Sequence, residues 1–236
     1  MKIRLPWPGT LLNTLTVILG SALGLVLHQS LPAGLMDTAL VGIGLVNLAM
    51  GVKMFMGSDS ILMVAGAIVF GGVIGALCGI TPGLDAAAET LRRSLGAEGD
   101  FNQGLVTASV LFCVGPMTLL GCVEDGLQGH SELLRIKSLL DGVASIFLAA
   151  TLGAGVLASA AVVLIVQGAV TSMAKTLRPL VHDEVMQKQL TAVGGILILA
   201  IGLNLAKIAK IPTADYLPAL VVAPAMLWAS RRWRPA

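Results

Sequence analysis

The sequence predicts an all-α fold, a polytopic transmembrane helical bundle of about eight spans. Three observations carry this. Of 236 residues, 56% are hydrophobic and 12% are charged, and the mean hydropathy is +0.90. A soluble domain carries about 25% charge, and a folded surface cannot hide that much apolar residue from water in one core. Charge-free runs also recur near the roughly 20 residues that a helix needs to cross a bilayer. These numbers exclude an ordinary soluble enzyme and a disordered chain. The net charge of +2, from 15 basic and 13 acidic residues, supplies no field to hold a nucleic acid.

The spans follow from these runs, within one membrane domain over 1–236. The first is Gly9–Leu27, preceded by Lys2 and Arg4. It is longer than a signal-peptide core and reads as an uncleaved helix. Then come Leu35–Phe55, Ile61–Ile80 and Phe101–Val123. The next charge-free run, Gly142–Ala174, has 33 residues. A single helix of that length is about 50 Å long, too long for one crossing. Gly153 and Gly155 divide it into spans Lys137–Leu152 and Val156–Lys175. Lys188–Ala206 and Tyr216–Ser230 complete the set, the last interrupted by Pro218 and Pro224. Between the third and fourth spans, Pro82–Gly96 forms an amphipathic connector. Leu84, Ala88, Leu91 and Leu95 lie on one face, with Asp85, Glu89, Arg92 and Arg93 around the rest. Thr81-Pro82 supplies a helix start and Gly96 a stop.

Eight crossings put both termini on one side, together with 11 of the 15 basic residues. Basic loops stay in the cytoplasm, so both termini are expected there. Trp7, Trp228 and Trp233 fall at the same interface, where aromatic belts lie.

A shift of 151 residues aligns the second and seventh spans. Gly44 meets Gly195, Gly51 meets Gly202 and Lys53 meets Asn204. Gly20 and Gly168 match the first span to the sixth, and a shift of 38 sets Thr107 on Ser145 and Gly115 on Gly153. The matched spans cross in opposite directions, which suggests an inverted repeat. That plan places transporter sites at the repeat interface.

Polar groups in hydrocarbon are expensive, so each needs an account. Asn13, Asn47 and Gln167 are amides inside spans, either interhelical glue or the lining of a polar path. Asp141 enters the apolar zone. It either lies on a solute path with Gln103, Thr107 or Ser145, or pairs with Lys137 one turn earlier. Gly115-Pro116 breaks the fourth span, because proline lacks the N–H that the Phe112 carbonyl needs. Glu124 and Asp125 form a cytoplasmic acidic cluster that a solvated loop would also explain. Cys78, Cys113 and Cys122 read as packing residues. His28, His130 and His182 have no metal-ligand spacing. No nucleophile or cofactor motif occurs, so neither a cofactor nor an enzymatic role is expected. Gly20-x-x-x-Gly24 and Gly71-x-x-x-Gly75 allow close helix contact, within the chain or in a homo-oligomer.

The stretches Leu11–Gly24 (LLNTLTVILGSALG), Gly51-Val52-Lys53, Gly104–Gly129 (GLVTASVLFCVGPMTLLGCVEDGLQG) and Lys137–Gly142 resemble the bacterial inner-membrane family known as "domain of unknown function 554". The resemblance covers nearly the whole chain. It implies a multi-pass protein of the inner membrane and leaves the activity open. Pro116 departs from the family pattern, where a small residue such as alanine is expected. The leading functional expectation is a transporter or channel for a small ion or polar solute. A scaffold binding another membrane protein is the alternative, and a lipid enzyme acting through Glu124, Asp125 and Asp141 comes third.

Overall fold

A computed structural model describes residues 7–28, 32–96, 101–181 and 183–232. Among them there are eleven α-helices and no strand: α1 Pro8–His28, α2 Ala33–Phe55, α3 Ile61–Leu77, α4 Ile80–Leu95, α5 Phe101–Cys113, α6 Pro116–Gln128, α7 Glu132–Leu152, α8 Ala154–Ser172, α9 Ala174–Val181, α10 Glu184–Leu205 and α11 Ala219–Arg232. A short 3-10 turn, Thr213–Tyr216, precedes α11. Four helices are long and apolar enough to cross a bilayer, and six crossings result if α3–α4 and α5–α6 each count as one bent span. Lys2, Arg4, His182, Trp233 and Arg234 lie outside the described residues.

Several boundaries differ from the sequence reading, each for a local reason. The fourth span is two helices, α5 and α6, bent by 61° at Gly115, whose φ of 154 precedes Pro116. Helix α6 runs on through Glu124 and Asp125 to Gln128 and stops at Gly129, which has φ 75. Those two carboxylates are therefore helical, and no loop holds them. Helix α7 starts five residues earlier than expected, because Ser131 caps it by accepting from the Leu134 N–H. Residues 174–181 leave the sixth span as α9. Pro218 and the turn before it delay the last helix to Ala219. The amphipathic connector is α4, ended by Gly96 at φ 61. Its Thr81 N–H is capped by the Asp215 carboxylate at 2.9 Å.

The chain forms two compact units, each from separate stretches. The first comprises Met1–Leu40 and Ala88–Val181, the second Val41–Ala87 and His182–Ala236.

In the first unit α1 and α7 gather their polar residues inside and present large apolar ones outside, the reverse of a helix in a soluble protein. Helix α1 buries Thr10, Asn13, Thr14, Gly20, Ser21 and Gly24, while Leu15, Leu19, Leu23 and Val26 are exposed. Helix α7 buries Lys137, Ser138, Asp141 and Ser145 and exposes Leu139, Leu140, Val143 and Phe147. Such a surface is stable against lipid and costly against water. Helices α1 and α7 run in the same direction, with Gly9 on Leu134 and Gly24 on Ile146. A Cβ on Gly20 would stand 2.2 Å from the Gly142 carbonyl oxygen. Helix α8 turns back at the single residue Gly153 and crosses α1 in the opposite sense, with Thr10 on Thr171 and Asn13 on Gln167. Helices α5 and α8 run together, Phe101 beside Gly155 and Phe112 beside Gln167. Gly20 and Gly168, matched in the sequence, thus have different neighbours, since Gly168 faces the Trp7 ring.

In the second unit, α2 and α10 are antiparallel and meet backbone to backbone. Cβ atoms on Gly44 and Gly202 would each lie within 3.0 Å of the other's carbonyl oxygen, and Gly51 and Gly195 behave alike. Helix α3 opposes α11 and the turn before it: Gly71 touches Ala219 and Gly75 abuts the Asp215 backbone. The core is small, built from Val64, Ala67, Ala192, Val193, Ala219 and Ala223. Asn204 braces the turn, donating to the Ile211 carbonyl and accepting from its N–H. The stripes Gly20/Gly24 and Gly71/Gly75 are therefore occupied by neighbours within the chain.

Candidate functional site

The first unit holds a chain of buried polar groups around the break between α5 and α6. It begins on α7, where Lys137 and Asp141 sit one turn apart and so share a face. That face is turned inward, leaving both residues 7% exposed. The Lys137 Nζ donates to both carboxylate oxygens of Asp141, at 2.8 and 2.6 Å. Two opposite charges at this depth offset one another, and each alone would be strongly unfavourable.

Helix α1 supplies the next member. Asn13 is fully buried, and its Nδ2 donates to Asp141 Oδ2 at 3.0 Å and to Gln167 Oε1 of α8 at 3.2 Å. Gln167 Nε2 in turn donates to the Phe112 carbonyl at 3.3 Å. That carbonyl is the one Pro116 leaves without its helical donor. Thr118, on the far side of the break, also donates to it at 3.2 Å. The backbone gap opened by Gly115-Pro116 is thus closed by side chains from α6 and α8, as irregular backbone inside a membrane requires. Asn13 Oδ1 is buried without a hydrogen-bond partner among the described residues. One turn along, Thr10 and Thr171 hydroxyls meet at 3.1 Å.

Of the residues singled out from sequence, Asn13, Asp141, Gln167 and the Gly115-Pro116 break come together here. Gln103 and Thr107 lie on α5, and neither they nor Ser145 supplies a hydrogen bond to Asp141. Ser145 donates to the Gly142 carbonyl at 2.8 Å, and Thr107 is buried. Asn47 belongs to the second unit, buried on α2. Asp125 is 2% exposed and accepts from the Gly9 N–H at 3.0 Å, where it complements the start of α1. Glu124 accepts from Ser131 Oγ at 2.9 Å. These two acids tie helix ends together.

Sequence reasoning missed Thr10, Thr118 and Thr171 as members of the chain. Thr10 is one turn before Asn13, and Thr171 one turn after Gln167. Polar pairs at that spacing on apolar helices were the available signal. Thr118 offered none, since the bend alone brings it to Phe112.

Fold and site together define a polytopic helical membrane protein with a charged polar cluster inside its bundle. The chain belongs to the family described as "Protein of unknown function (DUF554)", which matches it over residues 8–228. It is 30% identical over 224 residues to the "Uncharacterized membrane protein YdfK" of Bacillus subtilis (strain 168), covering 93% of this chain and 95% of that protein. It is 29% identical over 231 residues to the "Uncharacterized protein YqgA" of Escherichia coli (strain K12), covering 95% and 98%. No solved structure gives a significant match.

Proposed function

We propose that the protein is a transporter or channel for a small ion or polar solute in the bacterial inner membrane. The buried run from Lys137 through Asp141, Asn13 and Gln167 to the Phe112 carbonyl carries this reading. Ionisable groups at such depth are rare and mark solute paths, and broken helices mark binding points.

In this reading all eight predicted segments cross. Helix α7 joins the crossings because Lys137 and Asp141 face inward, Glu132 and Arg135 stay exposed in its first turn, and its outward face from Leu139 to Phe147 is apolar. An inverted repeat accounts for two features. The contacts of Gly44 with Gly202 and of Gly51 with Gly195 exchange with each other under a two-fold axis. Exchanging α1 with α8 and α5 with α7 also turns the parallel pair α1–α7 into the parallel pair α8–α5. Both termini face the cytoplasm, as the basic residues direct.

Flux into proteoliposomes across a panel of ions and small metabolites tests the function. The comparison is wild type against the pair variant Lys137→Gln with Asp141→Asn, which keeps the pair's hydrogen bond and removes its charge. Loss of flux in a folded variant is expected, and wild-type flux would remove Asp141 from the path. Reporter fusions at residue 236 and within residues 82–99 test the topology. A cytoplasmic 82–99 segment would overturn the eight crossings.

A further inference from the structure

We infer that the cluster binds a small monovalent metal cation, and that the Lys137 ammonium is its resident substitute on the Asp141 carboxylate. The inference rests on the transport reading of the same site and names what the site takes.

Asp141 gives both oxygens to a single cationic group, Lys137 Nζ. The carboxylate is therefore already a cation site, filled from within the chain. Asn13 Nδ2 bridges that carboxylate to a first amide oxygen, Gln167 Oε1, and the same Asn13 side chain carries a second, Oδ1, which is fully buried and lacks a partner among the described residues. A buried carbonyl oxygen without a donor is unfavourable, and a bound cation would satisfy it. All these donors are hard oxygens, the kind that alkali and alkaline-earth ions prefer over thiolates.

Charge selects between them. The cluster holds one carboxylate, and the described residues contain no group of three acidic, His or Cys side chains able to hold a metal. A divalent ion on one carboxylate would keep a net positive charge that neutral oxygens do not offset, which is costly when buried. One carboxylate with neutral oxygens balances one positive charge. Exchange of Lys137 for a metal cation leaves the charge on Asp141 neutralised throughout, so Asp141 is never bare in a medium where that is costly. Lys137 lies in the second turn of α7. Its long flexible stem can carry the ammonium toward the helix start and the headgroups.

The test uses the purified full-length protein in detergent at pH 8.5. Sodium or potassium chloride is titrated against choline chloride at constant ionic strength, with calorimetry and the thermal midpoint as readouts. The wild type is expected to bind one of the two metal ions saturably. Lys137→Met, with the competitor removed, is expected to bind about tenfold more tightly, as when an inactive occupied state is abolished. Lys137→Gln takes its place if Lys137→Met does not fold. The double variant Lys137→Met with Asp141→Asn is expected to be indifferent. A response to choline equal to that to the metals would overturn the inference. So would a Lys137→Met protein that responds no more than the double variant, or that lower pH stabilises and metal ions do not. Flux without any cation response removes this inference and leaves transport standing. Saturable cation binding without flux of any solute does the reverse.

Discussion

Helices α1, α7 and α8 add a carboxylate, a lysine and two amides to the close glycine contacts of α1 with α7, whereas α2 and α10 meet over four glycines. In the first unit the backbones are held by directed hydrogen bonds whose partners are 128 and 154 residues apart in sequence. In the second the buried cluster is Val and Ala. Its ion pairs, Lys188 with Asp59 and Arg231 with Asp183, are at the surface. The two solutions respond differently to change. A polar interface depends on each partner being present, because a lone buried charge or donor is left unmet. A glycine interface depends on nothing being added, because the contact is made by backbone atoms themselves.

The largest expected effect tests the first half of this contrast. Lys137→Met strands the Asp141 carboxylate and should cost about 3–5 kcal/mol, while the pair Lys137→Met with Asp141→Leu should recover most of it. Reversible unfolding in mixed micelles, read as a double-mutant cycle, measures the coupling. Additive losses would show that the two charges do not depend on each other.

Next come the glycines. Gly51→Ala and Gly195→Ala would each press a methyl to within 2.8 Å of the partner's carbonyl oxygen. Each should cost about 1–3 kcal/mol, as overpacking does, and the two losses should be similar because the contacts are reciprocal. Gly42 has open space around it, so Gly42→Ala should be neutral or stabilising. Alanine is the better helix former, so a loss at Gly42 equal to that at Gly51 would mean that close approach to the neighbouring helix does not set the cost.

A smaller effect is expected at the helix break. Thr118→Val removes one of the two side-chain donors to the Phe112 carbonyl and should cost about 1 kcal/mol. Thermal unfolding of Thr118→Val beside Gln167→Leu should rank the glutamine variant lower, since Asn13 also loses an acceptor.

The smallest effect belongs to the surface. The Arg231 guanidinium holds the Asp183 carboxyl below its ordinary range. A depressed folded-state pKa stabilises the fold above the unfolded value near 3.9 and is lost as pH falls through the folded value. The wild type should therefore exceed Arg231→Ala in thermal midpoint at pH 6, and the gap should close below about pH 4. A gap unchanged by pH or by added salt would assign it to packing.

Much of the helix plan was legible because it is local. Charge-free runs give the long apolar helices, four to six of them able to cross a bilayer, Gly153 splits the long run, and Pro116 marks the Phe112 carbonyl as needing a donor. The identity of that donor was not legible, since Gln167 lies 55 residues away. The same distance problem hid the role of Asp125, whose partner is the Gly9 N–H 116 residues earlier. Charge misled at two boundaries. Treating Glu124, Asp125 and Lys137 as helix limits cut α6 short and started α7 late. In fact a capping Ser131 and a positive-φ Gly129 set those ends.

The turn at Gly153 acts as a vernier for the cluster. It is the single residue between α7 and α8. Asp141 lies about 18 Å before it along one helix and Gln167 about 21 Å after it along the other, at 1.5 Å per residue. Both therefore arrive at a similar depth, with Asn13 between them. One residue added to the start of α8 would turn the helix by about 100° and displace it by about 1.5 Å. Gln167 would then face away from Asn13 and from the Phe112 carbonyl, and the break in the neighbouring helix would lose a donor. The length of this one connection sets the alignment of three helices.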